Sequence, residues 1–435
     1  MSVTSLRVWR LALPNILANL TIPLLGAVDT AVIGHLGAAE IGAVAVGGTV
    51  FSFLYWGFGF LRMGTTGVVA QAHGAGDGRA VVAAFLRGGV LAITFGLALV
   101  ALQWPLIQGA LAIIAPSAAV TAEAESYLAI RIWGAPAALL NMVVLGWLIA
   151  RQRMGTGLML QLLINGSNIV LDIALARGLE MNVAGVALAT VIAQWLGAGA
   201  GVVVISRQGR RLTSPWPWAE ALDRTRLGAL LRLNADILVR TLLVITSFSM
   251  MTVLGARFGD EVLAANGILL LLQGFLSYGL DGFAHAAEAL VGEAVGARDR
   301  RALDSAVKGT TVAAAGVAVG YTVVFWLGGP ALVALITSVP EVRETTALYL
   351  PWTVASPLIS VWSFQLDGIF IGATRGRAMR NAMIASVTLY VAALLWLVPA
   401  YGNAGLWTAL LILMAARAVT LAVAYPRLAQ EVSAC

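Results

Sequence analysis

The sequence predicts an all-α polytopic membrane protein, with twelve transmembrane helices in two homologous six-helix bundles. Three observations predict it. Hydrophobic residues fill 60% of the 435 positions and charged residues only 11%, where a soluble domain carries about 25%. Water cannot solvate such a chain as a globule, so lipid is its main solvent. Apolar stretches of the ~20 residues needed to cross a bilayer recur along the whole chain. The second half then repeats motifs of the first at an offset of about 220 residues.

The expected spans are 11–34, 41–72, 81–107, 119–150, 157–176, 183–205, 227–255, 262–291, 302–327, 347–374, 378–400 and 406–424. The second, fourth, eighth and tenth are long and should tilt, bend or protrude. The first carries Asp29 and lacks a small-residue cleavage site after a short apolar core. It reads as a true span and not as a removed signal peptide. Cys435 is the single cysteine, so no disulfide, cysteine metal site or thiol nucleophile can be built within the chain.

Arginine placement orients the spans. With a cytoplasmic N-terminus, Arg79, Arg87, Arg151, Arg153, Arg207, Arg210, Arg211, Arg298, Arg300, Arg301, Arg375 and Arg377 all fall on the inner side. The outer loops carry only Arg177, Arg257 and Arg343, amid Glu123, Glu125, Glu180, Asp260, Glu261, Glu341 and Glu344. This bias accounts for the net charge of +6 and leaves no reason to expect a nucleic-acid partner. The chain is expected in the inner (plasma) membrane with both termini cytoplasmic.

The repeat shows in matched motifs. His73-Gly74-Ala75-Gly76-Asp77-Gly78-Arg79 resembles Val295-Gly296-Ala297-Arg298-Asp299-Arg300-Arg301, and Ala150-Arg151-Gln152-Arg153 resembles Thr374-Arg375-Gly376-Arg377. Each copy holds an even number of spans, so the copies run parallel and should be related by a pseudo-two-fold axis along the membrane normal. The expected division is an N-terminal lobe at 1–205, a cytoplasmic linker at 206–225 and a C-terminal lobe at 226–435. Two bundles around a shared cavity are the usual basis of alternating access.

Ionisable groups at bilayer depth cost at least ~2.5–3.5 kcal/mol on insertion scales and point to function. The acids within spans are Asp29, Asp172, Asp236, Asp281, Glu288 and Asp367. On span five, Gln161, Asn165, Asn168 and Asp172 follow at i, i+4, i+7 and i+11, which is one helix face. Thr190 and Gln194 lie one turn apart on span six. Asn15, Asn19 and Asp29 lie on span one, which Pro14 and Pro23 can bend. Lipid cannot satisfy these groups, so they face the bundle interior. They form either an ion site or a hydrogen-bonded network that fixes packing. In the second half, Asp281, His285 and Glu288 share a face of span eight, and Asp367 follows Gln365 on span ten. Arg62 and Arg240 are the available counter-charges. Asp236 and Arg240, at i and i+4, are expected to pair along their helix. His35 and His73 fall in or beside loops, where water should solvate them. The Gly74-Ala75-Gly76 stretch has no preceding strand and no following Lys-Ser/Thr, so ATP is not expected as a direct fuel.

With these residues in place, the chain resembles the multidrug and toxic compound extrusion (MATE) family and, within it, the DinF branch. Leu11-Ala12-Leu13-Pro14 and Val28-Asp29-Thr30-Ala31-Val32-Ile33-Gly34 resemble the family's bent first helix with its acid. Asn168-Ile169-Val170-Leu171-Asp172 resembles the branch's Asn-x-x-x-Asp on span five, and Thr190 fits its span-six partner. The resemblance implies that Asp29, Asn168, Asp172 and Thr190 form a cation-coupling site, with H+ or Na+ as the coupling ion and no other metal or cofactor. Asp367-Gly368-Ile369-Phe370 resembles the span-ten segment where the NorM branch carries an acid. The NorM span-seven Glu has no counterpart, because Asp236 lies nearer the cytoplasmic end.

The reading is an antiporter, not an enzyme, that exports small organic compounds of cationic or amphipathic character. Gln161, Asn165, Gln194, Asp281, Glu288 and Asp367 are the expected substrate or cavity residues, and membrane lipid is the other partner. Two rivals stay open. A lipid-linked oligosaccharide flippase would share the architecture but needs a more cationic cavity. A membrane-embedded enzyme would need a constellation for which His285 and its two acids are the one candidate.

Overall fold

Helix ends in the second half of the chain repeat the backbone conformations of those in the first. The computed structural model describes residues 5–34 and 37–433, apart from the side chains of 22–31, 33 and 433. Asp77 accepts a hydrogen bond from Ala80 N at 2.8 Å, and Asp299 accepts one from Ala302 N at 2.9 Å. Each carboxylate caps a helix by taking one of its orphan amides. The residue before each cap is left-handed, Gly76 at φ 73° and Arg298 at φ 53°. Left-handed backbone recurs at Gln152 and Thr374, and at Glu180 and Gly402. Every pair is 222 positions apart (76 to 298, 77 to 299, 152 to 374, 180 to 402). Such backbone is uncommon outside glycine, so its return at a fixed offset marks a structural repeat.

In chain order the helices are α1 (Ser5–Ile33), α2 (Ala38–Gly74), α3 (Gly78–Ala101), α4 (Ala118–Ala150), α5 (Met154–Gly178), α6 (Asn182–Gly209), α7 (Arg224–Phe258), α8 (Asp260–Gly296), α9 (Arg300–Ile336) and α10 (Pro340–Gly372). The last run, Gly376–Ser433, divides at Gly402, where φ 55° and ψ −131° are not helical. It yields α11 (376–401) and α12 (403–433). Among the described residues, ten stretches are long and apolar enough to cross a membrane. With α1 added and the last run counted as two, the long helices among the described residues number twelve. No strand occurs among the described residues.

Several helices differ from their expected lengths or bend. α3 ends at Ala101, because Leu102 leaves helical backbone at φ −94° and ψ 11°, and a separate apolar helix covers Gln103–Ile114. α9 continues through Pro330 to Ile336 and so joins the long helices. A 3₁₀ turn at Ile132–Gly134 precedes Pro136 in α4. α5 widens into a π turn at Ile173–Gly178, directly after Asp172. Turns of this kind inside helices often accompany functional positions.

Leu17–Leu231 forms one compact unit, and the described residues on either side of it form the other. The units therefore depart from the expected boundaries of 1–205 and 226–435 at two places. The start of α1 packs on α8: Trp9 meets Phe283 edge-on at 5.1 Å, and Arg7 pairs with Glu293 at 2.8 Å. A Cβ on Gly282 would lie 2.9 Å from Ala12 O, so glycine permits the close backbone approach. The expected linker packs on the N-terminal bundle. Arg87, buried in α3, donates to Glu220 O at 2.8 Å and Ala221 O at 3.2 Å. Those carbonyls belong to the four-residue helix Trp218–Ala221, where they would otherwise lack donors.

Within the C-terminal bundle, α8 and α10 touch through glycine. A Cβ on Gly368 or Gly372 would lie 2.4 Å from Ala284 O or Glu288 O, respectively. Small residues at such contacts allow helix backbones to close on each other, and this contact sets Asp367 beside α8.

Candidate functional site

The polar face of α5 is assembled in the N-terminal bundle with the spacing its sequence implies. Gln161 Nε2 donates to Asn165 Oδ1 at 2.9 Å. Asn165 Nδ2 donates to Thr21 Oγ1 of α1 at 2.7 Å, and that hydroxyl donates to Ala18 O at 2.6 Å. One turn on, Asn168 Nδ2 approaches Thr190 Oγ1 of α6 at 3.4 Å, while Thr190 donates to Val186 O at 3.0 Å. Asn168 Oδ1 is buried and accepts no hydrogen bond among the described residues. Asp172 ends this face at 0% exposure. The approach of α5 to α6 depends on Gly185, where a Cβ would lie 2.7 Å from Ala176 N in the π turn.

The cluster thus gathers amide, hydroxyl and carboxylate oxygens from α1, α5 and α6, with Asn165, Asn168, Asp172 and Thr190 buried. Such hard oxygen donors suit a proton on a carboxylate or a small hard cation. The side chains of Asp29 and Pro23 lie outside the described residues. Gln194 is taken away from this face: Asn141 of α4 donates to its Oε1 at 2.8 Å and to its backbone O at 3.0 Å. Among the described residues, no group of three or more His, Cys, Asp or Glu side chains is arranged to hold a metal.

In the C-terminal bundle the charges pair differently from the expectation. Asp236 does not pair with Arg240 but accepts from Arg380 Nη1 of α11 at 2.6 Å. Arg240 instead turns to Asp367, and Arg417 of α12 bonds the same carboxylate oxygen. Asp367 is therefore no isolated negative charge for a cationic substrate, because two guanidiniums surround it. His285 and Glu288 are buried in α8 and Asp281 is half-buried. His73, expected to be solvated, is half-buried and bonded to Arg151.

Sequence reasoning passed over Thr21, Asn141, Arg131 and Arg417. The two arginines carried the stronger signal, since each sits inside an apolar stretch. Arg131 lies over the Phe51 ring at 4.8 Å and the Tyr127 ring at 5.4 Å, contacts that draw a cation to an aromatic face.

A family model described as MatE matches the chain twice, over residues 14–174 and 237–397. The matches start 223 positions apart (14 to 237), in step with the repeated turns. DNA damage-inducible protein F of Escherichia coli is 42% identical over 427 residues, covering 96% of this chain and 91% of that one. A probable multidrug resistance protein NorM of Aromatoleum aromaticum is 26% identical over 348 residues, 78% of this chain and 74% of that one. Among solved structures, a MATE in the straight conformation matches with TM-score 0.86 at 18% identity, over 99% of this chain and 96% of that one. An outward-facing multidrug resistance MATE family transporter of the MOP superfamily matches with TM-score 0.85, also at 18% identity, over 98% of this chain and 96% of that one. At that identity the likeness is one of fold.

Proposed function

The chain belongs to the MatE family, whose members are membrane transporters and not enzymes, and we propose that it is a cation-coupled antiporter exporting small organic compounds. The observation that carries this reading is the buried α5 face, where Asn165 is tied to α1, Asn168 to α6, and Asp172 is fully enclosed. A cation arriving at Asp172 changes the charge at a point where three helices meet. Asn168 and Thr190 hold the geometry, and Asp29 is the second carboxylate of the same site. H+ is favoured over Na+ as the coupling ion, because a carboxylate takes a proton without a full shell of oxygen ligands. Alternating access follows if neutralising the site changes how α1 bends at Pro14 and Pro23.

The energetics are adequate. One charge moved across ~100 mV supplies about 2.3 kcal/mol, which sustains about a fiftyfold substrate gradient. The substrates are cationic or amphipathic, and the inner membrane with cytoplasmic termini is the setting that fits the arginine bias. A lipid-linked oligosaccharide flippase needs a wide cationic cavity for its pyrophosphate. The paired arginines of the C-terminal bundle line a void of only about 10 Å³, which does not favour that reading.

The test is substrate-driven counterflow of protons or sodium in proteoliposomes, comparing wild type with Asp172→Asn and Asp29→Asn. Each variant should bind substrate and fail to move the ion. Normal counterflow in either one sinks the site.

A further inference from the structure

Three arginines share one face at the C-terminal end of α6. That end packs on α3 through Gly209, where a Cβ would lie 3.5 Å from Val82 Cγ2 and 3.9 Å from the Trp216 ring. At about 100° per residue, Arg207 and Arg211 point about 160° away from Gly209, and Arg210 about 100° away. All three are exposed, and among the described residues none has an ion pair or a side-chain hydrogen bond. The neighbouring acids are engaged elsewhere. Asp77 caps α3 through Ala80 N at 2.8 Å. Glu220 pairs with Arg79 and lies 3.9 Å from Arg226, and Asp223 accepts from Arg226 N at 2.8 Å. Leu196, Gly199 and Val203 lie in the same sector of α6 as the arginines and are exposed too, so an apolar stripe runs along the span and ends in positive charge. From Val183 to Ile205 α6 rises about 33 Å, enough for the ~30 Å hydrocarbon core. The arginines therefore fall at headgroup depth. The short helix Trp218–Ala221 marks the same depth. Arg87 holds it against α3 and leaves Trp218 51% and Leu222 52% exposed, and tryptophan favours the membrane–water interface.

We propose that this face of α6 is a binding site for an anionic phospholipid. The phosphate sits among the guanidiniums of Arg207, Arg210 and Arg211, and an acyl chain runs along Val203, Gly199 and Leu196. Arginine directly after a span attracts anionic headgroups, and its planar fork matches phosphate oxygens. The charge rule that orients the spans asks only that arginines lie on one side of the membrane. It does not ask for three on a single helix face, without partners and in line with an exposed apolar stripe. The site lies within Leu17–Leu231 and apart from the α5 face, so it stands or falls independently of the coupling reading.

The experiment is thermal unfolding of the purified full-length protein in an uncharged detergent at constant ionic strength. Phosphatidylglycerol is titrated against phosphatidylcholine of the same acyl chains and against sodium phosphate. A ligand that binds only the folded state raises the midpoint along a saturating curve. Wild type should show such a curve with phosphatidylglycerol, should need at least about tenfold more phosphatidylcholine, and should give no saturating rise with sodium phosphate. Replacing Arg207, Arg210 and Arg211 together by glutamine should raise the half-saturating phosphatidylglycerol concentration at least about tenfold, and each single replacement about fivefold. Replacing Arg10, Arg153 and Arg427 together by glutamine removes the same charge at exposed positions elsewhere and should leave that concentration unchanged. Binding in detergent is read whichever way a variant inserted in the cell. Equal responses to the two lipids overturn the proposal, as does equal weakening by the two triple replacements, or a saturating rise with sodium phosphate to match the lipid. Should the triple variant at 207, 210 and 211 not be recovered folded, the single replacements decide, and wild-type half-saturation in all three overturns the site.

Discussion

Asp236 and Asp367 each meet arginine, yet removing them should have unequal consequences. The Asp236–Arg380 pair is partly exposed, at 18% and 33% for the two side chains, and pairs of that kind contribute about 0–1 kcal/mol. Asp236→Ala should accordingly lower unfolding stability by at most about 1 kcal/mol. Asp367→Ala strands two buried guanidiniums, and breaking such a cluster costs about 3–5 kcal/mol. Denaturant unfolding of the two purified variants beside wild type measures both. Equal losses would mean that Arg240 and Arg417 find other partners. Sequence spacing did not convey this difference. Asp236 and Arg240 sit one turn apart, which suggested a pair along α7, but tertiary packing offers Asp236 the Arg380 of α11 and offers Arg240 the acid on α10. The α5 face was legible for the opposite reason: Gln161, Asn165, Asn168 and Asp172 owe their shared direction to helical periodicity alone. Thr21 was not legible, because a threonine in an apolar stretch looks like any residue bonding its own helix until α1 and α5 are brought together.

At the scale of elements, the two aspartate caps give a matched pair of tests. Asp77 and Asp299 occupy equivalent positions in the repeat and bond equivalent amides. Replacing an aspartate N-cap by alanine costs about 0.5–2 kcal/mol. Asp77→Ala should speed amide exchange in the first turn of α3 and leave α9 unchanged, and Asp299→Ala should do the reverse. Hydrogen–deuterium exchange read by mass spectrometry resolves the two segments, and exchange unaltered at the cut end would remove the caps from the account of why these helices start where they do. Other helix ends were harder to read. The expected span 81–107 ran past the real end of α3 because the helix that follows, Gln103–Ile114, is apolar too. Hydropathy does not register a break in helical backbone between two apolar helices. Pro105 in the first turn of the second helix, where a missing amide is tolerated, was the one available mark. The gap at 401–405 was read correctly, since Gly402 combines glycine with a polar neighbour in Asn403.

For the whole molecule, the open question with a direct answer is which face of the N-terminal bundle meets the cytoplasm. Arg87 clasps the carbonyls of Glu220 and Ala221, and Arg79 pairs with the Glu220 carboxylate. Leu212 O lies 3.0 Å from where a Cβ on Gly78 would be. The residues 206–225 therefore lie against the end of the bundle where α2 gives way to α3. That end also carries Arg151, Arg153, Arg207, Arg210 and Arg211, and a cluster of arginines beside membrane spans stays on the cytoplasmic side. The opposite end has Arg177, whose Nε donates to Val32 O at 3.2 Å, together with Glu123, Glu125 and Glu180. Impermeant thiol labelling of intact cells, with Cys435 replaced by serine, tests the assignment. Ala219→Cys, at an exposed position of the linker helix, should react only after the membrane is opened. Ala122→Cys, exposed near the start of α4, should react in intact cells. The sites are chosen for exposure, since Gly209 at the end of α6 is buried and would stay silent on either side. Reaction at position 219 in intact cells, with protection at 122, would invert the topology. The arginine cluster at 207–211 would then be outside, against the charge rule that all twelve spans were oriented by.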